Sequence, residues 1–376
     1  MKGKIDIKIV LICVGAYAAY GIGSGFATGQ EILQYFTSWG VTGCIISLIC
    51  SAVLLSYSFS AVMRAGQVNQ DIFKKDSDGY AYFGGKYFGL LVDIFSWIMV
   101  AAILVAMFAG CGATIQQYFG LPAYIGTISM CILTAVVVML GLRRIQQVLG
   151  FLGIVFIVYI VIFGLYSIIT SNVSLSDATA NLQTYINEGK IYQAGILGIY
   201  NSVWAGLNYG GVCLITAFPF VLALGRRSKN PVEASVSGFN AGLWFHVPAA
   251  FSAFAIMLHL DYVATNGEQV PLLAAMTEAI PSISWSFAII LLLGIFTTII
   301  GYMWFLTDRI SEERTTKARI ITAVIAVIAA AGGSVLPFNL ILNKVFPITG
   351  VVGMILTVLI IIKDVRLAGE KKQSSV

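Results

Sequence analysis

Charge is what this sequence has least of. Asp, Glu, Lys and Arg together make up 10% of its 376 residues, where a soluble domain carries about 25%. So few polar side chains cannot cover a globule of this length in water. Histidine is scarce as well, with two residues, His246 and His259. There is no HExxH and no GxSxG, so the usual constellations of an intramembrane or hydrolytic enzyme are missing. The six cysteines stand singly and form no CxxC pair. That spacing suggests neither a zinc site nor a disulfide framework, and they read as small buried apolar side chains. The net charge of +5 comes from basic residues in short loops rather than from a basic block, so no nucleic-acid partner is expected. No filter-like repeat or ring of charge suggests a channel.

Apolar sequence is what fills the space. Hydrophobic residues reach 59% and the mean hydropathy is +0.90. The bilayer is therefore both solvent and partner, and the expected class is an all-α membrane protein. A crossing needs about 20 mostly apolar residues. Hydropathy gives ten candidate spans, roughly 8–36, 41–63, 87–118, 122–142, 146–169, 191–223, 236–262, 282–307, 318–333 and 339–362. The basic N-terminus followed by an apolar run superficially resembles a signal peptide. The run continues too far for one and lacks a clear cleavage site, so it reads as the first span.

With ten crossings and the N-terminus inside, all but Lys190 and Lys344 of the 22 Lys and Arg residues fall on the cytoplasmic side. This is the bias expected of a plasma or inner membrane protein with both ends in the cytoplasm. The outer segment 263–281 contains PLLAAMTEAI, a short helix at about 270–280 closed by Pro281. It reads either as a cap over an outer mouth or as a simple connector.

Two spans are too long for one straight crossing, and each carries glycines near its centre. The first contains Gly21, Gly23, Gly25 and Gly29, interleaved with Ser24, Phe26 and Thr28 and followed by Gln30 and Glu31. Each glycine weakens a helix by about 1 kcal/mol relative to alanine. An unwound backbone at membrane depth persists only where it is buried in protein or lines a wet cavity. The freed amides and the half-helix starting near Phe26 would then suit a carboxylate. The competing reading is close helix packing through Gly21 and Gly25, a GxxxG pair. The sixth span contains Trp204, Gly206, Asn208, Tyr209, Gly210 and Gly211, with Pro219 beyond. Two interrupted spans at corresponding positions of oppositely oriented halves point to a transporter's binding site.

The string Gly21-Ile22-Gly23-Ser24-Gly25-Phe26-Ala27-Thr28-Gly29-Gln30-Glu31, followed by Trp39-Gly40, resembles the first-helix loop of the amino acid–polyamine–organocation superfamily. The longer GxGFAxGQE match resembles its YkvI-like branch of amino-acid permeases. The match is sharp only around 21–40. The resemblance implies a LeuT-type fold of two inverted five-helix halves, residues 1–170 and 171–376, with helices 1 and 6 unwound at mid-membrane. Gly21, Gly23, Ser24, Gly25, Phe26, Trp204, Gly206, Asn208 and Tyr209 would then bind the solute. In sodium-coupled proteins of this fold, hydroxyls of the eighth helix join carbonyls at the first break. By that resemblance Thr297 and Thr298 would pair with the carbonyls of Tyr17 and Tyr20. Threonines in membrane helices also often bond back to their own helix.

Glu31 and Lys344 each lie about 10 Å below the outer surface at 1.5 Å per residue. A lone charge at that depth normally faces a cavity or a partner. The two are expected to pair at an outer gate, or Glu31 to carry a coupling proton; snorkelling of each to the interface is the alternative. The expected function is secondary active transport of a small amino acid or related zwitterion or amine, coupled to sodium or protons and without a cofactor. The competing class is an amino-acid-sensing receptor subunit of the same fold, as in germination permeases. Nothing in the sequence addresses oligomeric state.

Overall fold

The structure, a computed structural model, describes residues 5–73, 78–140, 145–196, 198–266, 269–308, 310–311 and 315–373. Lys2, Lys4, Lys74, Lys75, Arg143, Arg144, Arg309 and Arg314, which weigh in the charge count above, lie outside the described residues.

The first span opens at Asp6, whose side chain accepts from the Lys8 amide and caps helix α1 (Ile7–Gly21). An N-cap carboxylate satisfies one of the helix's free amides. The chain continues through α2 (Ser24–Thr28) and α3 (Gln30–Tyr35) to α4 (Gly40–Val68). A short α5 (Asp78–Gly84) leads into α6 (Lys86–Phe119), α7 (Ala123–Leu140) and α8 (Ile145–Thr170). Two small helices, α9 (Leu175–Ala178) and α10 (Leu182–Asn187), precede α11 (Ser202–Gly225). The order ends with α12 (Pro231–Leu258), α13 (Leu260–Thr265), α14 (Pro271–Ala279), α15 (Ser284–Asp308), α16 (Thr316–Val335) and α17 (Phe338–Gln373). Among the described residues the only β pairing is one isolated bridge, Ile196 to Ile199.

By length and composition, seven of the described helical segments can each cross a membrane, and the bent pair Ile154–Thr170 and Leu175–Asn187 brings the number to eight. Ile7–Gly21 and Ala123–Val137 are apolar but shorter. The outer faces agree with a lipid surround. Ile45, Ile49 and Val53 on α4, Ile154, Val158 and Ile162 on α8, and Ile320, Val324 and Val327 on α16 are all exposed at helical spacing. Apolar stripes on this scale are not left facing water.

The centre of the bundle is α11, which packs between α4 and α17, while α12 packs on α1, α4 and α8. Here the structure corrects one expectation. The sixth span is not unwound at 204–211; α11 runs through that stretch as continuous helix. Its glycines serve contact instead. A Cβ on Gly206 would meet the Ser47 carbonyl of α4, and one on Gly211 would meet the Gly350 carbonyl of α17. Removing Cβ lets helix backbones approach closely without costing their internal hydrogen bonds. The irregular segment lies earlier, before Asn201, whose side chain accepts from the Trp204 amide and starts the helix.

The outer helix expected at 270–280 is α14. It begins with Pro271 and buries Leu272, Leu273, Ala274, Ala275 and Met276. Gly29, at φ 83°, sits directly beneath Leu272. α14 therefore rests on a bend of the first span.

Candidate functional site

The first span breaks where the sequence placed the break. α1 ends at Gly21, and Ile22 takes φ −80° and ψ 72°, the geometry of an inverse γ-turn. The Gly23 amide accordingly donates to the Gly21 carbonyl at 2.9 Å. Gly23 is extended, α2 makes little more than one turn, and the left-handed Gly29 redirects the chain into α3. Thr28 stitches the short turn: its hydroxyl donates to the Gly25 carbonyl at 3.2 Å and accepts from the Gln30 amide at 3.3 Å.

The bend folds Glu31 back over the break. A Cβ on Gly25 would collide with the Glu31 carboxyl, so the absence of a side chain there is what admits the acid. Glu31 is 7% exposed, and its Oε2 accepts from the Tyr209 hydroxyl of α11 at 3.0 Å. Beside it lies a cavity with about 20 Å³ for the centres of water-sized molecules, room for one or two waters. Tyr17, Tyr20, Gly21 and Gly23 line it from the first span, with Glu31 from α3. Ile103 and Met107 of α6, Val212, Cys213, Thr216 and Ala217 of α11, Tyr302 of α15 and Phe346 of α17 complete the wall. The Tyr20 hydroxyl donates to the Thr216 carbonyl at 2.7 Å, tying the two spans across the cavity.

The other candidates divide. Thr298 does reach the break, but its hydroxyl donates to the Ile22 carbonyl at 3.0 Å rather than to Tyr17 or Tyr20. Thr297 turns back to Gly294 at 2.7 Å. One hydroxyl–carbonyl contact falls short of the several oxygens a hard cation takes. Tyr17 and Tyr20 instead present side chains to the cavity.

Phe26 is fully buried and packs on Phe245 with ring centroids 5.1 Å apart, off the cavity wall. Asn208 is spent on structure: it accepts from the Tyr35 hydroxyl at 3.2 Å and donates to the Pro347 carbonyl at 2.9 Å. Trp204 lies near the start of α11, also off the wall, with its indole N–H unpartnered. Gly206 is a packing contact. The side chain of Ser24 lies outside the described residues. Glu31 and Lys344 are not paired: the acid is buried against Tyr209 while Lys344 is exposed on α17. Helix α17 turns the lysine outward, so the two do not share a face.

Sequence reasoning missed Cys213, Thr216, Tyr302, Ile103 and Met107. Three of them carried a signal. Cys213 and Thr216 follow Tyr209 by four and seven residues, and Tyr302 follows Thr298 by four, the spacings of one helix face.

In fold, the chain is similar to a helical membrane protein of known structure. A manganese transporter of Eremococcus coleocola superposes with a TM-score of 0.56 at 16% identity, covering 94% of this chain and 78% of that chain. A second crystal structure of that transporter gives 0.55 at 15% identity with the same coverage. At such identity the likeness is one of fold. In sequence, the chain is 18% identical to an uncharacterized membrane protein, YkvI, of Bacillus subtilis, over 90% of this chain and 91% of that one. It is 21% identical to the uncharacterized protein YyaD of the same organism, over 96% and 98%. No protein-family model matches the chain.

Proposed function

We propose that the chain is a secondary active transporter that moves a small amino acid, or a related zwitterion or amine, by alternating access. One observation carries the reading. A cavity within a lipid-facing bundle meets the unwound turn of the first span, with a buried carboxyl and tyrosines on its wall. Irregular backbone at membrane depth is tolerated where it lines such a cavity, and transporters of this kind bind cargo there.

Counting the two shorter apolar helices with the eight crossings makes ten. This supports two five-span halves, 1–170 and 171–376, in the layout of the YkvI-like branch, with both ends in the cytoplasm of a plasma or inner membrane. The coupling ion is a proton taken by Glu31 or a sodium ion near Thr298 and the Ile22 carbonyl.

Uptake into proteoliposomes is the test. Radiolabelled amino acids and amines are supplied under an imposed proton gradient, a sodium gradient, or neither. Gradient-driven accumulation of one of them is the expected result. Saturable binding with no accumulation under any gradient would instead identify a sensor of the same fold.

A further inference from the structure

Among the described residues, the cavity at the break carries one acid and no base. Tyr17 and Tyr20 face it from α1, Tyr209 and Cys213 from α11 and Tyr302 from α15, and Tyr35 of α3 lies beside the acid. α6 and α17 contribute apolar groups. His246 of α12 is occupied elsewhere, within 2.8 Å of both Ser51 Oγ and the Gly242 carbonyl. Among the described residues no lysine, arginine or histidine lines the wall, and Glu31 has no ion-pair partner. A carboxylate left alone at membrane depth is costly, so its charge is met by a partner. Two partners of one charge are available: a proton, or the cationic group of a cargo molecule.

We infer that Glu31 receives the ammonium group of a small organic cation and gives up a proton in exchange, so that cargo and proton compete for one carboxyl. The inference rests on the transporter reading and names its cargo class. In the step, the protonated Glu31 loses its proton to water as the cavity opens. The ammonium then pairs with the carboxylate, and the net charge of the cavity is zero before and after. The aromatic wall suits this cargo, because tyrosine faces attract cations and cover short alkyl groups. A bound metal fits less well. The carboxyl is accompanied by one thiol and one thioether, and no cluster of three His, Cys, Asp or Glu occurs among the described residues. A net anion has nothing to neutralise it.

The experiment is calorimetric titration of the purified full-length protein in two buffers of different ionisation enthalpy, which counts protons released per ligand bound. The probes are methylammonium, ethylammonium and tetramethylammonium, with alanine as the zwitterion and Mn²⁺ as the metal. The expected result is release of about one proton per ammonium ion, with affinity that rises as pH rises. Glu31→Gln should abolish the proton release and weaken binding by about tenfold or more. Tyr209→Phe, which keeps the acid and removes its hydrogen-bond donor, should retain release and alter its pH midpoint.

Alanine binding without proton release and unaffected by Glu31→Gln would overturn the inference while leaving the transporter reading intact. Mn²⁺ binding in preference to every ammonium ion would also overturn it. If no probe binds and proteoliposomes accumulate no solute, both readings fall together. If Glu31→Gln does not fold, Tyr209→Phe decides: ammonium binding with proton release and a pH midpoint equal to those of the unsubstituted protein would count against the exchange.

Discussion

The ammonium of Lys229, in the turn between α11 and α12, lies 2.7 Å from the Asp6 carboxylate at the start of α1. The same corner is fastened by Glu233 at the head of α12, whose carboxylate accepts from the Asp6 amide and the Lys229 amide, each at 2.8 Å. Glu233 is fully buried, whereas the Lys229–Asp6 pair is exposed to solvent. Under the proposed alternating-access cycle, the start of α1 would have to leave this corner. Glu233→Ala, which leaves two backbone amides without their acceptor, should weaken the closed corner by about 1–3 kcal/mol. Lys229→Ala should act in the same direction and less strongly, as exposed pairs do. Spin labels at Lys8 and Val232 should report a larger population at long distance in both variants; an unchanged distance distribution would show that the corner is not a latch.

The Lys229 side chain, by its hydrogen bond, holds the Asp6 carboxyl below its ordinary value of 3.8, with the Lys8 amide adding to the effect. A depressed carboxylate contributes stability that is present above the unfolded value and is lost as pH falls through the folded one. The Lys229–Asp6 contact should therefore persist from neutral pH down through the usual carboxylate range and open only in stronger acid. Asp6→Asn should remove the opening in stronger acid from the label-distance profile. Opening between pH 5 and 7 in the unsubstituted chain would contradict this.

Gly25 and Gly211 both look like helix-breaking glycines, yet they face different neighbours. A Cβ at Gly25 meets the flexible Glu31 carboxyl, and a Cβ at Gly211 meets the Gly350 carbonyl and the Met354 amide of α17. A side chain can swing away and a helix backbone cannot. Gly25→Ala should keep thermal stability within about 1 kcal/mol while lowering solute affinity about tenfold. Gly211→Ala should destabilise by about 1–3 kcal/mol through overpacking. Melting curves paired with binding titrations separate the two, and equal loss of stability would refute the distinction.

That contrast also explains what could be read before the structure. Hydropathy locates spans well because a crossing is a long, one-dimensional signal, and the boundaries around α4, α6 and α15 follow it closely. The break at Gly21–Gly25 was legible because polar residues sit among the glycines, which packing alone does not require. In α11 the same composition misled. Asn208 is polar because it bridges Tyr35 and Pro347, and its neighbouring glycines are bare because α4 and α17 press on them. Those partners are remote in sequence, so no local pattern separates a contact from an unwound turn. Lys344 failed for a related reason: depth along a helix was readable, but the face that α17 presents was not.

Thr298 joins α15 to the break through the Ile22 carbonyl, an oxygen other than the Tyr17 and Tyr20 carbonyls expected of a sodium site. Thr298→Val keeps the shape and removes the donor, which should cost about 1 kcal/mol. If sodium stabilises the unsubstituted protein in thermal melts through this contact, the variant should lose that response. A sodium shift of equal size in Thr298→Val would place any sodium effect elsewhere. No sodium response in either protein would leave the contact as a brace for the γ-turn.

Asn208 provides the last separation between a site residue and a strut. Its amide spans α3 through Tyr35, and α17 through the Pro347 carbonyl. Pro347 lies inside α17, and a helix bends where proline removes its bond. Asn208 thus holds α17 at its proline against the half of the first span that carries Glu31. Asn208→Leu can neither donate to the Pro347 carbonyl nor accept from the Tyr35 hydroxyl, so each loses a partner in a buried setting. Leaving the buried Tyr35 hydroxyl unsatisfied costs about 1–3 kcal/mol, the Pro347 carbonyl loses its second partner, and the melting temperature should fall accordingly. Because the amide does not line the cavity, the ratio of affinities among different solutes should stay as it is. A change in that ratio at unchanged stability would return Asn208 to the binding site, and would imply a conformation in which α17 moves away and frees the amide for cargo.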